Sequence, residues 1–388
     1  MTLSFYRIVA TLTAKSPLHL GSGRRTGVIK HSYPYIPGSM LRGALGMVIL
    51  RSVCRLDEPL VDHEKCEFFE DCLYARLFGE EFGKSSRLFF RYAYPLHLRC
   101  GGVYRPAAKT VYVCKNPQCR KIYDVMVPPI ACENCESSVS PFRGFRCDGC
   151  GDLIRYPRYP ISMSRITLTA LDRSRGSAAQ VIGAGETKGT LHTIEVVARG
   201  SKFAFELLVH RGCGDDLDVI KKSLVRGLPD EGVGGGKSRG LGKVSVDDLR
   251  VEKVSVEDVE KRAEEIDTRS FSVRTLSPLL LGSNLLEPKT LLEGARRAYT
   301  WIFHVGKPKL PDIHLKGRRL SIETFGGWSL KTQRQRRIEP AISTGSVFQF
   351  ESGVRDEVLA KALAALEHYP LGAYKPHGCG QLRIEGPR

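Results

Sequence analysis

The chain carries one turn twice. The segment SPLHLGS at residues 16–22 returns as SPLLLGS at residues 277–283, and each copy follows a run whose apolar residues alternate as in a half-buried strand. The closing segments match as well. Gly240-Leu241-Gly242-Lys243-Val244 ends the first half and Gly378-Cys379-Gly380-Gln381-Leu382 the second, each followed by a short strand-like stretch. An opening strand, a tight turn, and a closing glycine pair with its strand, repeated in one chain, predict two copies of one domain type. A length of 388 residues is too great for one ordinary core and suits two domains plus an insertion.

Local patterns order each copy. Residues 4–14 read as a first strand, and Ser39 reads as the N-cap of a helix over Met40–Leu50, whose two glycines suit close packing. A strand near residues 86–92, a cysteine-rich region at about 100–160, a strand pair at 190–197 and 202–210, a helix at 215–226 and a last strand near Val244 follow. Strand, helix, two strands, helix, strand is the ferredoxin-like plan shared with RNA-recognition folds. The expected class is α+β: a first ferredoxin-like domain over 1–250 with the insertion, a charged, exposed connecting helix or linker over 251–269, and a second such domain over 270–388 with a helix at 355–368.

Lys and Arg total 59 against 42 Asp and Glu, a net charge of +17 that repels itself unless a polyanion lies on the surface. Nucleic acid is the expected partner. No apolar run of the roughly 18 residues needed to span a bilayer occurs, so no membrane partner is expected. The first twenty residues lack the charged start, apolar block and cleavage site of a secretory signal. The expected location is cytoplasmic, where twelve cysteines stay reduced.

Six of those cysteines fall in pairs: Cys114 with Cys119, Cys132 with Cys135, and Cys147 with Cys150. Short spacings let two thiolates of one turn grip an ion, and two such turns complete a closed, structural Zn2+ site. The first two pairs make one set, leaving Cys147 and Cys150 to recruit other ligands or stay a reduced pair; alternatively the last two pairs combine. Cys54, Cys66, Cys72, Cys100, Cys213 and Cys379 are expected to pack in apolar surroundings.

Three basic segments suit a phosphodiester chain. The loop Glu231–Lys243 resembles a phosphate cradle but fails as a nucleotide P-loop, since Glu231 stands where the first glycine is needed and the loop runs from helix to strand. What remains is a glycine-dense backbone with Lys237, Arg239 and Lys243 to neutralise phosphate. Arg24, Arg25, Lys30 and His31 lie beside Tyr33 and Tyr35, while Lys316, Arg318, Arg319, Lys331, Arg334, Arg336 and Arg337 surround Phe325 and Trp328. Cations that track a backbone and rings that stack on bases suit single strands.

The SPLHLGSG opening, Tyr35-Ile36-Pro37-Gly38-Ser39-Met40-Leu41-Arg42-Gly43-Ala44-Leu45, Leu77-Phe78-Gly79 and the loop GGGKSRGLGKV together resemble the RAMP superfamily of CRISPR-associated proteins. The resemblance implies that the glycine loop and the IPGS helix contact guide RNA, placing Lys237, Ser238, Arg239 and Arg42 on it. Two such domains, the cysteine-rich insertion opened by Tyr112-Val113-Cys114-Lys115, and the segment PAISTGSVF at 340–348 look like the large subunit that caps the guide's 5′ handle in type III-D effectors. The implied partners are guide RNA, the large polymerase-like subunit and backbone RAMP subunits. The additional pair Cys147 and Cys150 departs from that pattern.

Backbone RAMP subunits cut target RNA with an acidic residue between the opening turn and IPGS, and here RRTGVIKHSYPY holds no Asp or Glu. A non-catalytic role is therefore expected. The alternative is a metal-independent guide-processing endoribonuclease, in which His31 with Lys30, Tyr33 and Arg24 would move protons and steady the scissile phosphate.

Overall fold

The computed structural model describes residues 2–57, 59, 66–79, 85–155, 162–169, 171–172, 174, 177–178, 180–183, 186–189, 192–329 and 332–388. Lys331 and Thr190 lie outside them. The first half is built from β1 (Leu3–Ala14), α1 (Gly38–Val53), β2 (Leu88–Phe90), β3 (Lys202–His210), α2 (Leu217–Lys222) and β4 (Val244–Ser255). Its sheet runs β4-β1-β3-β2, all neighbours antiparallel, with Phe5 opposite His210 and Thr13 opposite Lys202. The second half follows α3 (Val256–Glu264) and holds β5 (Ser270–Thr275), α4 (Pro288–Phe303), β6 (His314–Arg319), β7 (Val347–Glu351), α5 (Glu357–Leu366) and β8 (Leu382–Glu385), in the order β6-β7-β5-β8. Both sheets thus share one strand order, last-first-third-second. The fold is α+β, with two ferredoxin-like units.

The repeat extends to individual hydrogen bonds. In the first half Gly242 N donates to Pro17 O (2.9 Å), Lys243 N to Ser16 Oγ (3.0 Å) and Gly235 N to His19 O (2.9 Å). In the second, Gly380 N donates to Pro278 O (2.8 Å), Gln381 N to Ser277 Oγ (2.9 Å) and Ala373 N to Leu280 O (2.9 Å). The serine hydroxyl and prolyl carbonyl of each SPL turn therefore satisfy the closing loop's backbone, which explains why the turn recurs.

The first sheet is buried on both faces at one end. Ile8, Leu88, Phe90, Leu207 and Val209 face its own helices, whereas Phe5, Phe89, Leu208 and Val254 join the second half's core. Alternate residues of a strand point to opposite faces, so the run Leu207-Leu208-Val209 is apolar throughout. Trp301 of α4 packs against Phe5 and Phe89 at 5.4 and 5.7 Å between ring centroids.

Several sequence expectations shift. The first helix starts at Gly38 behind Pro37, and Ser39 lies inside it rather than capping it. A Cβ at Gly38 would meet His377 O at 2.7 Å and Gly378 Cα at 3.0 Å, so the helix begins where the closing loop of the second half presses on it. The expected strand pair at 190–197 and 202–210 divides between sheets: His192–Val197 pairs with Met163–Leu168 and with Ile29–Ser32, which in turn pairs with Gly21–Thr26. The stretch 251–269 holds a connecting helix, one of the two forms expected, but it is packed rather than exposed. It completes β4 and continues as α3, capped reciprocally by Ser255 and Asp258, with Val259 and Ala263 buried in the second half's core. Charge on its outer face masked this packing in the sequence.

Candidate nucleic-acid interface and metal clusters

A cleft of about 1210 Å3 opens where the two halves bring their loops together. The first half contributes the SPLHLGS turn, the N-terminal turns of α1 and the glycine loop; the second contributes Glu323–Ser329, Gln335–Arg336 and Tyr374. Of the cations and rings singled out in the sequence, Arg24, Tyr33, Tyr35, Arg42, Lys237, Phe325, Trp328 and Arg336 line it. Arg25, Lys30, His31, Ser238, Arg239, Lys243, Arg334 and Arg337 do not.

Each cation is held differently. Arg24 is exposed on the hairpin Gly21–Ser32, whose Arg25 stands directly opposite Lys30, a like-charge pair that an anion would relieve. Arg336 lies over the Tyr374 ring at 5.5 Å. Lys237 is paired with Glu231 at 2.7 Å, and Glu231 also holds Arg51 at 2.6 Å, so the expected free phosphate ligand already has a partner. The Arg42 guanidinium donates to Phe78 O (2.7 Å) and Ser86 Oγ (3.2 Å) and stacks on the Phe78 ring, and burial pulls its pKa down to about 10. Arg42 therefore braces the cleft wall, tying α1 to the Leu73–Phe78 helix.

The glycine loop is shaped rather than loose. Gly232, Gly234, Gly236, Gly240 and Gly242 all have positive φ, and a Cβ at Gly234 would meet His19 O at 2.5 Å. Lys237–Arg239 form one tight helical turn with exposed side chains. Trp328 is 60% exposed, while the Phe325 and Tyr374 rings pack at 5.2 Å with their planes tilted by 44°. Glu323, Glu339 and Tyr374 were not singled out in the sequence. Glu323 takes a hydrogen bond from Thr344 N at 3.3 Å, and burial raises its pKa against the pull of Lys109 and Arg24.

His31 sits away from the cleft with both ring nitrogens engaged. Nδ1 lies 3.2 Å from Glu195 Oε2 and Nε2 lies 2.9 Å from Thr26 Oγ1. Tyr33 stacks on Tyr35 at 5.1 Å, and burial raises the pKa of both phenols, opposing their use as bases.

The cysteines resolve into two clusters that could each hold a metal ion. Cys114, Cys119, Cys132 and Cys135 form one, with Sγ atoms 3.4 Å apart for Cys114 and Cys135 and 3.7 Å for Cys119 and Cys132. The second joins Cys147 and Cys150 to His97 and Cys100. This corrects the expectation for Cys100, which is exposed in a turn and not an apolar packing residue. The available signal was His97-x2-Cys100, the same spacing as Cys147-x2-Cys150. The remaining cysteines stand apart, Cys213 and Cys379 being fully buried.

The RAMP superfamily model matches residues 11–245, which include the SPLHLGS turn, α1 and the glycine loop. The chain belongs to the RAMP superfamily. A comparison of this RAMP protein with curated proteins finds no match. Among solved structures, it is similar to a Cas6 product complex at 12% identity and a TM-score of 0.41, covering 98% of this chain and 99% of that one. It is also similar to a chain of the type III-B Cmr-beta complex bound to cognate target RNA, at 15% identity and a TM-score of 0.35, covering 64% of this chain and 61% of that one. Among the described residues of the RAMP chain no helix is long and apolar enough to cross a membrane.

Proposed function

We propose that this RAMP protein is a non-catalytic RNA-binding subunit of a type III CRISPR effector, which holds the 5′ handle of the guide RNA in the cleft and caps the complex in antiviral defence. The cleft itself carries the reading, because it joins cations able to follow a backbone with Trp328, Phe325 and Tyr374 able to stack on unpaired bases. Guide RNA, the polymerase-like subunit and backbone RAMP subunits are the proposed partners. Zn2+ is the proposed occupant of Cys114, Cys119, Cys132 and Cys135, since four thiolates close a tetrahedral site to water and suit a structural ion.

Binding of a handle-bearing guide across a salt series tests this. Arg24→Ala with Arg336→Ala should flatten the log-log salt slope by roughly 1.4, from about 0.7 per phosphate contact on a single strand. Trp328→Ala should weaken binding by about 1–3 kcal/mol, the range for one base–aromatic stack. The RNA should remain uncut in EDTA. Wild-type slope and affinity in both variants would remove the cleft from the interface, and site-specific cleavage would replace the capping role with the endoribonuclease.

A further inference from the structure

We propose that His97, Cys100, Cys147 and Cys150 bind a second Zn2+, independent of the four-cysteine site, and that this ion positions the tyrosine layer supporting the cleft. The positioning half rests on the RNA reading above; the ion does not.

The four ligand atoms lie within 4.8 Å of one another. Cys100 Sγ is 3.2 Å from His97 Nδ1 and 3.5 Å from Cys147 Sγ, and Cys150 Sγ is 3.3 Å from His97 Nδ1. Zn–S and Zn–N lengths of about 2.3 and 2.05 Å at tetrahedral angles put such atoms about 3.5–3.8 Å apart, close to these separations. One nitrogen and three sulfurs select a thiophilic ion and leave no open position.

The backbone is built for this closure. A Cβ at Gly102 would meet Cys147 Sγ at 2.7 Å and Gly149 N at 2.9 Å, so the two ligand-bearing turns interlock only as glycine. His97 N donates to Gly102 O (2.7 Å) and Asp148 N to Val103 O (3.0 Å), and Asp148 accepts from Val103 N (2.6 Å).

The route to the cleft is one of packed rings. The His97 ring lies 4.8 Å from that of Tyr104, whose hydroxyl donates to Asp152 at 2.6 Å. Tyr104, Phe145 and Cys147 share an apolar cluster with Tyr35 and Tyr94. Tyr35 stacks on Tyr33, which lines the cleft. The four-cysteine site belongs to a different cluster, formed with Tyr112 and Tyr123. Emptying one site should therefore leave the other loaded.

Elemental analysis of the full chain purified without chelator decides the ion. The expected result is two Zn2+ in the wild type, one in His97→Ala, one in the double variant Cys114→Ser with Cys132→Ser, and two in His97→Cys, which restores a fourth ligand. One ion in the wild type, or two in His97→Ala, would overturn the site. Should His97→Ala fail to fold, a cobalt titration of wild type against His97→Cys counts the sites, two saturating phases supporting the proposal and one refuting it. A fluorescent single-stranded RNA of mixed sequence tests positioning. Binding should fall at least about 5-fold in His97→Ala, recover in His97→Cys, and change less than about 2-fold in the four-cysteine double variant. Wild-type affinity in His97→Ala with one ion lost would overturn the positioning role, whereas a wild type that binds no RNA would refute the functional reading and leave the ion count standing.

Discussion

His31 shows how neighbours set a residue's role. A histidine among cations reads in the sequence as a candidate proton carrier, yet Thr26 and Glu195 occupy its two nitrogens and hold it within the sheet that joins the hairpin Gly21–Ser32 to His192–Val197. His31→Ala should lower unfolding stability by about 1.5–3 kcal/mol, the range for a hydrogen bond to a charged group such as the Glu195 carboxylate, and leave any RNA processing rate unchanged. Urea unfolding and a cleavage assay on the same preparation check both. Lys237 shows the converse. Its charge was legible as a phosphate ligand, but its pairing with Glu231, six residues earlier, depends on the loop folding back on the preceding helical turn.

At the scale of elements, two glycines of α1 have opposite standing. Gly38 touches the closing loop of the second half, so Gly38→Ala should destabilise the fold by about 1–3 kcal/mol, the usual range for overpacking. Beyond its own helix backbone, Gly43 has no atom within 4 Å of where its Cβ would stand, so Gly43→Ala should be neutral or raise stability by up to about 1 kcal/mol through helix propensity. Thermal unfolding of the two variants should move in opposite directions or leave Gly43→Ala unmoved. Helix α3 gives a second prediction. Arg262 makes a bidentate pair with Glu367, 3.0 Å on each side, and donates to Ile384 O at 2.7 Å; Glu367 is only about 6% exposed in its side chain. Arg262→Ala should cost about 1.5–3 kcal/mol, the range for hydrogen bonds to a charged group, because the buried carboxylate loses its bidentate partner and keeps Ile384 N at 2.8 Å and Arg383 at 3.6 Å. A denaturant midpoint equal to the wild type would show that α3 does not lock the second sheet.

For the whole molecule, acid should loosen the contact between the two halves. Burial, then Arg91 and Arg7, pushes the pKa of His368 down to about 3, and burial with Arg42 holds His377 well below the usual imidazole range. His368 packs on Phe5 of the first sheet at 5.1 Å, and the His377 carbonyl meets Gly38. The unfolded chain takes up these protons near pH 6.5, before the folded one does. Stability from neutral His368 is therefore complete above about pH 6.5 and is lost as pH falls toward about 3. Urea midpoints at pH 7.5 and 5.0 should fall with acidity, and less steeply after His368→Gln; equal slopes would remove His368 as the cause.

The repeat, the α+β class, the family and the paired thiolates were legible in the residues alone, because these depend on local features: alternating apolar residues, a turn whose hydroxyl and carbonyl cap a closing loop, and ligands with two to four residues between them. Which atoms meet across long separations was settled by the packing of the two halves. His97 and Cys100 reach Cys147 and Cys150 because two glycine turns interlock, and Trp328 and Arg336 face Arg24 because the halves dock through Gly38 and Gly378. Such contacts depend on how apolar surface is shared between the sheets, and a residue's type does not record which distant partner shares its burial.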